Sequence, residues 1–192
     1  MSSESWHAKR DAQLHEENHE TARHKNRQTH LRPFSIKDAD LVQEMAGNFN
    51  VAKMTMNVPH PYLPGKAEQW INDHPLKWES RTGASYAITP KQTKELFGAI
   101  GLVSIENGQA SIGYWIGEPF WGNGYCSEAG AGLVQYGFSS LGLDRVYAEH
   151  LSINPASGRV MQNIGMKHYK TEKKPDRDGK SVRMELYEIE RT

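Results

Sequence analysis

The sequence has almost no cysteine: Cys126 stands alone among 192 residues. A single thiol can build neither a disulfide within the chain nor a thiolate zinc site, so the chain suits a reducing, cytoplasmic compartment. Charge excess is also missing, with 23 basic residues against 23 acidic ones. A surface made to follow a phosphate backbone carries a surplus of Lys and Arg, so nucleic acid is not the expected partner. No apolar run approaches the ~20 residues of a membrane span. The start, Met1 to His7, lacks the apolar core of a secretory signal. There is no internal repeat and no long linker.

Apolar residues are scarce, 37% of the chain, and the shortage is concentrated at its start. Residues 1–28 are nearly all polar and have no wide apolar stripe for a helix to bury. They are expected to form a polar extension, helical or partly disordered, ahead of one domain over 29–192. His7, His15, His19 and His24 lie in the extension. His15 and His19, one helical turn apart, could clip a metal. No carboxylate–histidine motif accompanies them, so they are read as a solvated face and no metal site is assigned.

The rest alternates between strand and helix patterns. Thr29 to Ile36 reads as a strand ending at Pro33, and Asp38 opens a short helix to Gly47. Asn57 to Gly65 carries three prolines and Tyr62, which makes a stiff loop of the kind that lines sites. Lys66 to Ser80 places Ala67, Trp70, Ile71, His74 and Trp78 at helical spacing. Strands follow over Ala84–Thr89, Leu96–Ile105 and Gln109–Gly117, with Asn107-Gly108 as the hairpin turn between the last two. A long helix from Tyr125 to Leu141, a strand from Asp144 to Ile153 and a helix from Asn154 to Ile164 come next. Two strands, Met166–Glu172 and Ser181–Glu190, close the chain around the charged turn Lys173 to Lys180.

Two segments carry chemistry. In Trp121-Gly-Asn-Gly-Tyr-Cys-Ser-Glu, glycines lead from a strand into a helix start. Gly122 and Gly124 let the backbone turn tightly. The unpaired amides of the first helical turn then favour an anion, most naturally a phosphate. No lysine follows the glycines as in a P-loop, and the third glycine of a dinucleotide fingerprint is missing. A tight strand-to-helix connection would explain the same residues without a ligand. In the second segment, Asn154-Pro-Ala-Ser, Asn154 suits an N-cap and Pro155 the first helical turn. A well-capped helix accounts for that segment on its own.

Together the segments say more. Thr29-His-Leu-Arg-Pro-Phe, Phe97-Gly-Ala-Ile-Gly-Leu, Ile112-Gly-Tyr-Trp-Ile-Gly, Phe120-Trp-Gly-Asn-Gly-Tyr-Cys-Ser-Glu-Ala, Leu141-Gly-Leu-Asp-Arg-Val-Tyr-Ala and Asn154-Pro-Ala-Ser-Gly-Arg-Val-Met-Gln-Asn-Ile-Gly-Met occur in one order. In this the chain resembles the GNAT acyltransferase superfamily, and within it the ribosomal-protein N-acetyltransferase (RimJ/RimL-like) branch, over about residues 29–190. The resemblance implies an α/β (α+β) fold: a twisted mixed sheet, helices on both faces, and two central parallel strands, Gln109–Gly117 and Asp144–Ile153, that splay apart. It implies acetyl-CoA as acyl donor, its pantetheine pairing with backbone near Trp115 and Ile116. The pyrophosphate would rest on the amides of Gly122, Asn123, Gly124, Tyr125, Cys126 and Ser127. Asn154 matches an asparagine that positions the pantetheine, and Ser157 a serine near the sulfur. Three departures stand out. Trp121 begins the loop where the superfamily usually has Gln or Arg, Cys126 replaces a Gly or Ala, and Met161 occupies the position of a tyrosine acid.

The implied reaction is attack of a neutral primary amine on the thioester in a ternary complex, which needs a base, an oxyanion donor and help for the thiolate. An N–H near Ile116 is the expected oxyanion donor and Ser157 or water the acid. Glu149 and His150 are candidate bases, although adjacent strand residues point to opposite faces, so at most one should face the cleft. Glu106 and Glu118 flank the preceding strand, and a water chain is a rival. Cys126 is not expected to be a nucleophile. Tyr62 and Trp70 are expected to wall the acceptor pocket; core packing would equally explain Trp70. The acceptor would be a small-molecule amine or a protein N-terminus, and the protein a monomer or homodimer. The alternative is a non-catalytic CoA-binding regulatory module.

Overall fold

The computed structural model describes residues 28–93 and 95–192. The polar extension and its histidines therefore lie outside the described residues, apart from Gln28. The chain enters with β1 (Thr29–Arg32) and a single 3-10 turn, then α1 (Ala39–Gly47) and a short α2 (Phe49–Ala52). The turn is closed by a capping box between Ser35 and Asp38. Arg32 grips the Asp38 carboxylate with both guanidinium nitrogens, at 2.7 and 2.8 Å. Burial pushes that carboxyl up, but the Arg32 and Ser35 hydrogen bonds outweigh it and hold it below its ordinary value.

α3 (Lys66–Glu79) leads to the meander β2 (Gly83–Pro90), β3 (Gly98–Glu106) and β4 (Gln109–Ile116). Then come α4 (Tyr125–Ser139), β5 (Arg145–Leu151), α5 (Pro155–Asn163), β6 (Lys167–Pro175) and β7 (Ser181–Glu190). β6 runs on to Pro175, further than its composition suggests, because register pairing with β7 continues from Lys174–Val182 to Pro175–Ser181. The turn is accordingly shorter than expected. The brief α2 was not anticipated; Asn48 starts it by accepting from the Asn50 amide at 2.7 Å.

The strands form one sheet in the order β1-β2-β3-β4-β5-β7-β6. Neighbours are antiparallel except β4 and β5, which run parallel. Both faces are covered, which is why Gly98 to Leu102 of β3 is buried without alternation. α1 and α3 bury Val42, Ala46, Ala67 and Ile71 against Ala87, Ala99 and Trp115 on one face. α4 and α5 bury Leu133, Val134 and Met161 against Ile100, Ile112, Val146 and Ala148 on the other. At ~1.5–3 kcal/mol for each fully buried large apolar side chain, these two layers dominate the stabilising side. The edge strand β6 is exposed and set with Lys167, Lys170, Lys173 and Lys174, which discourages pairing with another edge. Among the described residues no helix is long and apolar enough to cross a membrane.

Candidate active site

The parallel pair is where the sheet opens. β4 and β5 keep register only from Gln109–Arg145 to Ser111–Tyr147 and then part. Gly117 donates to the Phe97 carbonyl at 2.9 Å. Antiparallel pairs alternate between bonded and non-bonded, so Trp115 and Gly113 spend their backbone groups on β3, and those of Ile112, Tyr114 and Ile116 turn toward β5. Past Ser111, β5 is no longer there to meet them. The expectation about Trp115 therefore needs correcting: its side chain lines the gap, but its backbone faces Ala99.

A cavity of about 850 Å³ fills the opening. Its lining includes Tyr114, Trp115 and Ile116 from β4, Glu149 and His150 from β5, Asn154 and Ser157 at the start of α5, and Gly122, Gly124, Tyr125, Cys126 and Ser127 at the start of α4. Asn123 is not part of the wall. Its amide nitrogen braces the turn from behind, reaching the carbonyls of Phe120 and Trp121 at 3.1 and 3.2 Å.

The glycine turn is held on every side. Gly122 and Gly124 have φ of 80° and 79°, the left-handed region that costs a side-chain-bearing residue energy. Phe120 stacks on Phe97 with ring centroids 4.0 Å apart, and the Trp121 indole donates to the Ile116 carbonyl at 2.7 Å. Glu128, in the first turn of α4, accepts from the Gln28 and Thr29 amides and the Thr29 hydroxyl at 2.9, 3.0 and 3.1 Å, which fastens the helix to β1. Gly124 offers no side-chain cap. Among the described residues, no acceptor meets the amides of Tyr125, Cys126 and Ser127. Free helix-start amides at one end of a cavity suit an anion.

The sequence matches the family description "Acetyltransferase (GNAT) domain" over residues 28–167. It is 32% identical over 138 residues to the N-acetyltransferase p20 of Bacillus licheniformis, covering 70% of this chain and 76% of that one.

The chain belongs to the GNAT acetyltransferase family.

It is thereby an acyl-CoA-dependent N-acyltransferase, with acetyl-CoA as donor. Among solved folds, the microcin C7 self-immunity acetyltransferase MccE, in complex with acetyl-CoA and AMP, aligns with TM-score 0.76 at 20% identity, over 85% of this chain and 93% of that one. RimL, the ribosomal L7/L12 alpha-N-protein acetyltransferase in complex with coenzyme A, aligns with TM-score 0.74 at 18% identity over 85% and 94%. Both likenesses show the shared fold.

Within this GNAT domain the remaining expected residues sort by what they touch. Cys126 is buried at the start of α4, and burial pushes its thiol up to about 12, so it is no nucleophile at neutral pH. Glu118 is occupied, accepting from Asn48 and Asn50 at 2.9 and 2.8 Å. Glu106 stands opposite Gln109 beside the hairpin turn, at the end of β4 where the strands are still paired. Glu149 and His150 do point to opposite faces. Because the cavity passes through the sheet, both nevertheless line it. Glu149 shares its face with Leu151, which packs beside Met56, and is ion-paired with Lys174. His150 lies on the α5 face. Its Nδ1 donates to the Leu151 carbonyl at 2.8 Å, since a carbonyl can only accept. Gly158 is required above the ring, because a Cβ there would stand 2.8 Å from Nε2.

Tyr62 and Trp70 both line the cavity, on the side of α1 and α3. Trp70 also packs edge-on against Phe34 and His74, with centroids 4.9 and 4.4 Å away, so wall and core roles coincide in it. Asn154 caps α5 by accepting from the Ser157 amide at 3.2 Å. Sequence reasoning missed Tyr114, whose hydroxyl lies 2.9 Å from Ser157 Oγ. The signal was faint: Tyr114 has the parity of Ile112 and Ile116, hence the α5 face.

Proposed function

We propose that the protein N-acetylates a primary amine by direct attack, with donor and acceptor held together in the cavity between β4 and β5. The opening of the parallel pair carries this reading. One continuous space runs from the free amides of α4 to the wall formed by Met54, Met56, Val58 and Tyr62, large enough for two reactants to meet.

Acetyl-CoA supplies an acyl carbon activated by sulfur. Tyr125, Cys126 and Ser127 hold its pyrophosphate through backbone N–H groups, and the Tyr114 and Ile116 backbones line the path of the arm. Arg159 of α5 adds a positive charge to the wall. Glu149 receives the acceptor's ammonium in place of Lys174 and takes up its proton, freeing the nitrogen lone pair. The Ile116 N–H is aimed at the oxygen that gains charge as nitrogen adds. Ser157 stands beside the sulfur as the carbon–sulfur bond breaks. Cys126 is too far from ionisation to form an acyl-enzyme, which favours direct transfer over a two-step route.

The stiff loop before α3, the mixed apolar and acidic wall and the open mouth suit either a small amine or a protein N-terminus, acting on a monomer or homodimer in the cytoplasm. The test is thiol release from acetyl-CoA against a panel of polyamines, amino acids and peptides with free N-termini. Amine-dependent release, with one N-acetyl product per thiol, is the expected result. Thiol release that ignores the amine, or none with any of them, would remove the proposal.

A further inference from the structure

The steps above make no use of the Tyr114 side chain, which lines the cavity. Tyr114 projects from β4 onto the first turn of α5. Its hydroxyl is 3.0 Å from the Ser157 carbonyl oxygen and 2.9 Å from Ser157 Oγ. Tyr114 and Ser157 both line the cavity. Burial pushes the phenol above its ordinary value, more than the Ser157 bond lowers it, so Tyr114 keeps its proton.

Two hydroxyls own two hydrogens, and this pair admits two arrangements. In the first, Tyr114 donates to the Ser157 carbonyl while Ser157 donates to Tyr114; both hydrogens are spent internally. In the second, Tyr114 donates to Ser157 Oγ, and the serine hydrogen is left for another acceptor. A neutral sulfur gives little reason to leave the first arrangement. An anionic sulfur favours the second, because a hydrogen bond to a charged acceptor is roughly twice as strong as a neutral one.

We propose that Tyr114 is a positioning residue for Ser157, rotating its hydrogen from the Ser157 carbonyl to Ser157 Oγ so that the serine hydrogen turns to the sulfur as that atom becomes a thiolate. This rests on the placement of the sulfur beside Ser157 proposed above. No proton leaves Tyr114. The carbon–sulfur electron pair goes to sulfur and the nitrogen–carbon bond forms; of the two protons an ammonium loses in becoming an amide, the first goes to Glu149 before attack and the second to solvent water as the adduct collapses, so sulfur leaves as the thiolate. The strand thus supplies what Met161, at the usual tyrosine position on the helix, lacks.

The surroundings keep the pair simple. Cys126 of α4 and Tyr187 of β7 are the other titratable groups acting on Tyr114. His150 of β5 lies beside Tyr187, ring centroids 5.6 Å apart. With its thiol pushed up to about 12, Cys126 stays neutral where a free thiol, near ~8.5, ionises.

The test needs no acceptor. Free CoA is bound to the full chain and its thiolate absorbance followed against pH, with desulfo-CoA as blank and as a measure of affinity. The bound thiol should ionise ~1 unit higher in Tyr114→Phe than in the wild type, while desulfo-CoA affinity stays within twofold. Ser157→Ala should shift the thiol as much, and the double variant no further than either single one. An unshifted thiol in Tyr114→Phe overturns the inference. If that variant does not fold, an unshifted thiol in Ser157→Ala overturns it equally. Failure of the wild type to bind CoA would instead remove the cofactor placement, a different result from binding with an unshifted thiol.

Discussion

Asn154 donates its side-chain amide to the carbonyl of Met54, one hundred residues earlier and 3.0 Å away, while its side-chain oxygen caps α5. One side chain thus ties the loop after α2 to the helix that carries Ser157, across the mouth of the cavity.

The two functions separate in Asn154→Asp. A carboxylate caps as well as an amide, but it cannot donate and would face the Met54 carbonyl. A lost bond with an unsatisfied partner costs ~1–3 kcal/mol. The melting temperature should fall by several degrees and acceptor turnover should drop, while α5 remains intact by circular dichroism. Asn154→Ala should melt lower still. Equal stability in Asn154→Asp and wild type would show that the tie to Met54 contributes nothing.

Gly124→Val should weaken CoA binding about tenfold, ~1.4 kcal/mol. A Cβ there meets nothing within 4 Å, so the penalty comes from the φ of 79° and not from a clash. A β-branched residue resists the left-handed region, so the helix start must rotate and its amides lose their aim. Calorimetry with acetyl-CoA measures this directly. Unchanged affinity would detach the pyrophosphate from this turn.

Tyr62→Ala should raise the acceptor KM about fivefold, an effect of ~1 kcal/mol. The KM for acetyl-CoA should stay within twofold, because Tyr62 lies against Gly47 at the end of α1, on the opposite side of the sheet from α4. Steady-state kinetics with any amine from the panel separates the two. Parallel changes in both constants would mean that the residue supports the whole cleft and not one substrate.

His74 makes stability depend on pH. Burial is the main cause that lowers its pKa to about 4, and neither ring nitrogen has a hydrogen-bond partner. The unfolded chain, with a pKa of ~6.5, takes up the proton first. The stability held by neutral His74 is therefore complete above ~6.5 and is lost as pH falls from there toward ~4. His74→Phe keeps the ring against Phe34 and Trp70 and removes the proton site. Melting curves of the two proteins should converge at neutral pH and diverge through that window, the wild type dropping faster. Parallel curves would assign the acid sensitivity elsewhere.

Much of the fold was legible because its signals are short-ranged. Asn107-Gly108 closes a hairpin with both residues at positive φ. Asn154 and Pro155 open a helix, and Gly122 and Gly124 turn the chain into another. Each depends on neighbours within a turn or two, which the order of residues specifies. The glycine turn and the helix start it leads into were readable for the same reason, since their residues are consecutive. The edge strand β6 ran past its expected end because a partner strand prolonged it, which local composition does not report.

What the chain order could not decide was which distant side chains would meet. Glu118 looked as free as Glu149 until folding set Asn48 and Asn50 on it and left Glu149 on the cavity wall with Lys174. Nothing near Tyr114 in the chain marks it out, and only the packing of α5 over β4 brought its hydroxyl to Ser157. The parting of β4 and β5 after Ser111 is likewise a property of the twisted sheet. The sequence by itself determined the elements, their caps and the glycine turn into α4, because these are settled within a few residues. The tertiary structure alone decided the open gap and the groups that line it, because they come from strands and helices that meet only when the whole sheet has formed.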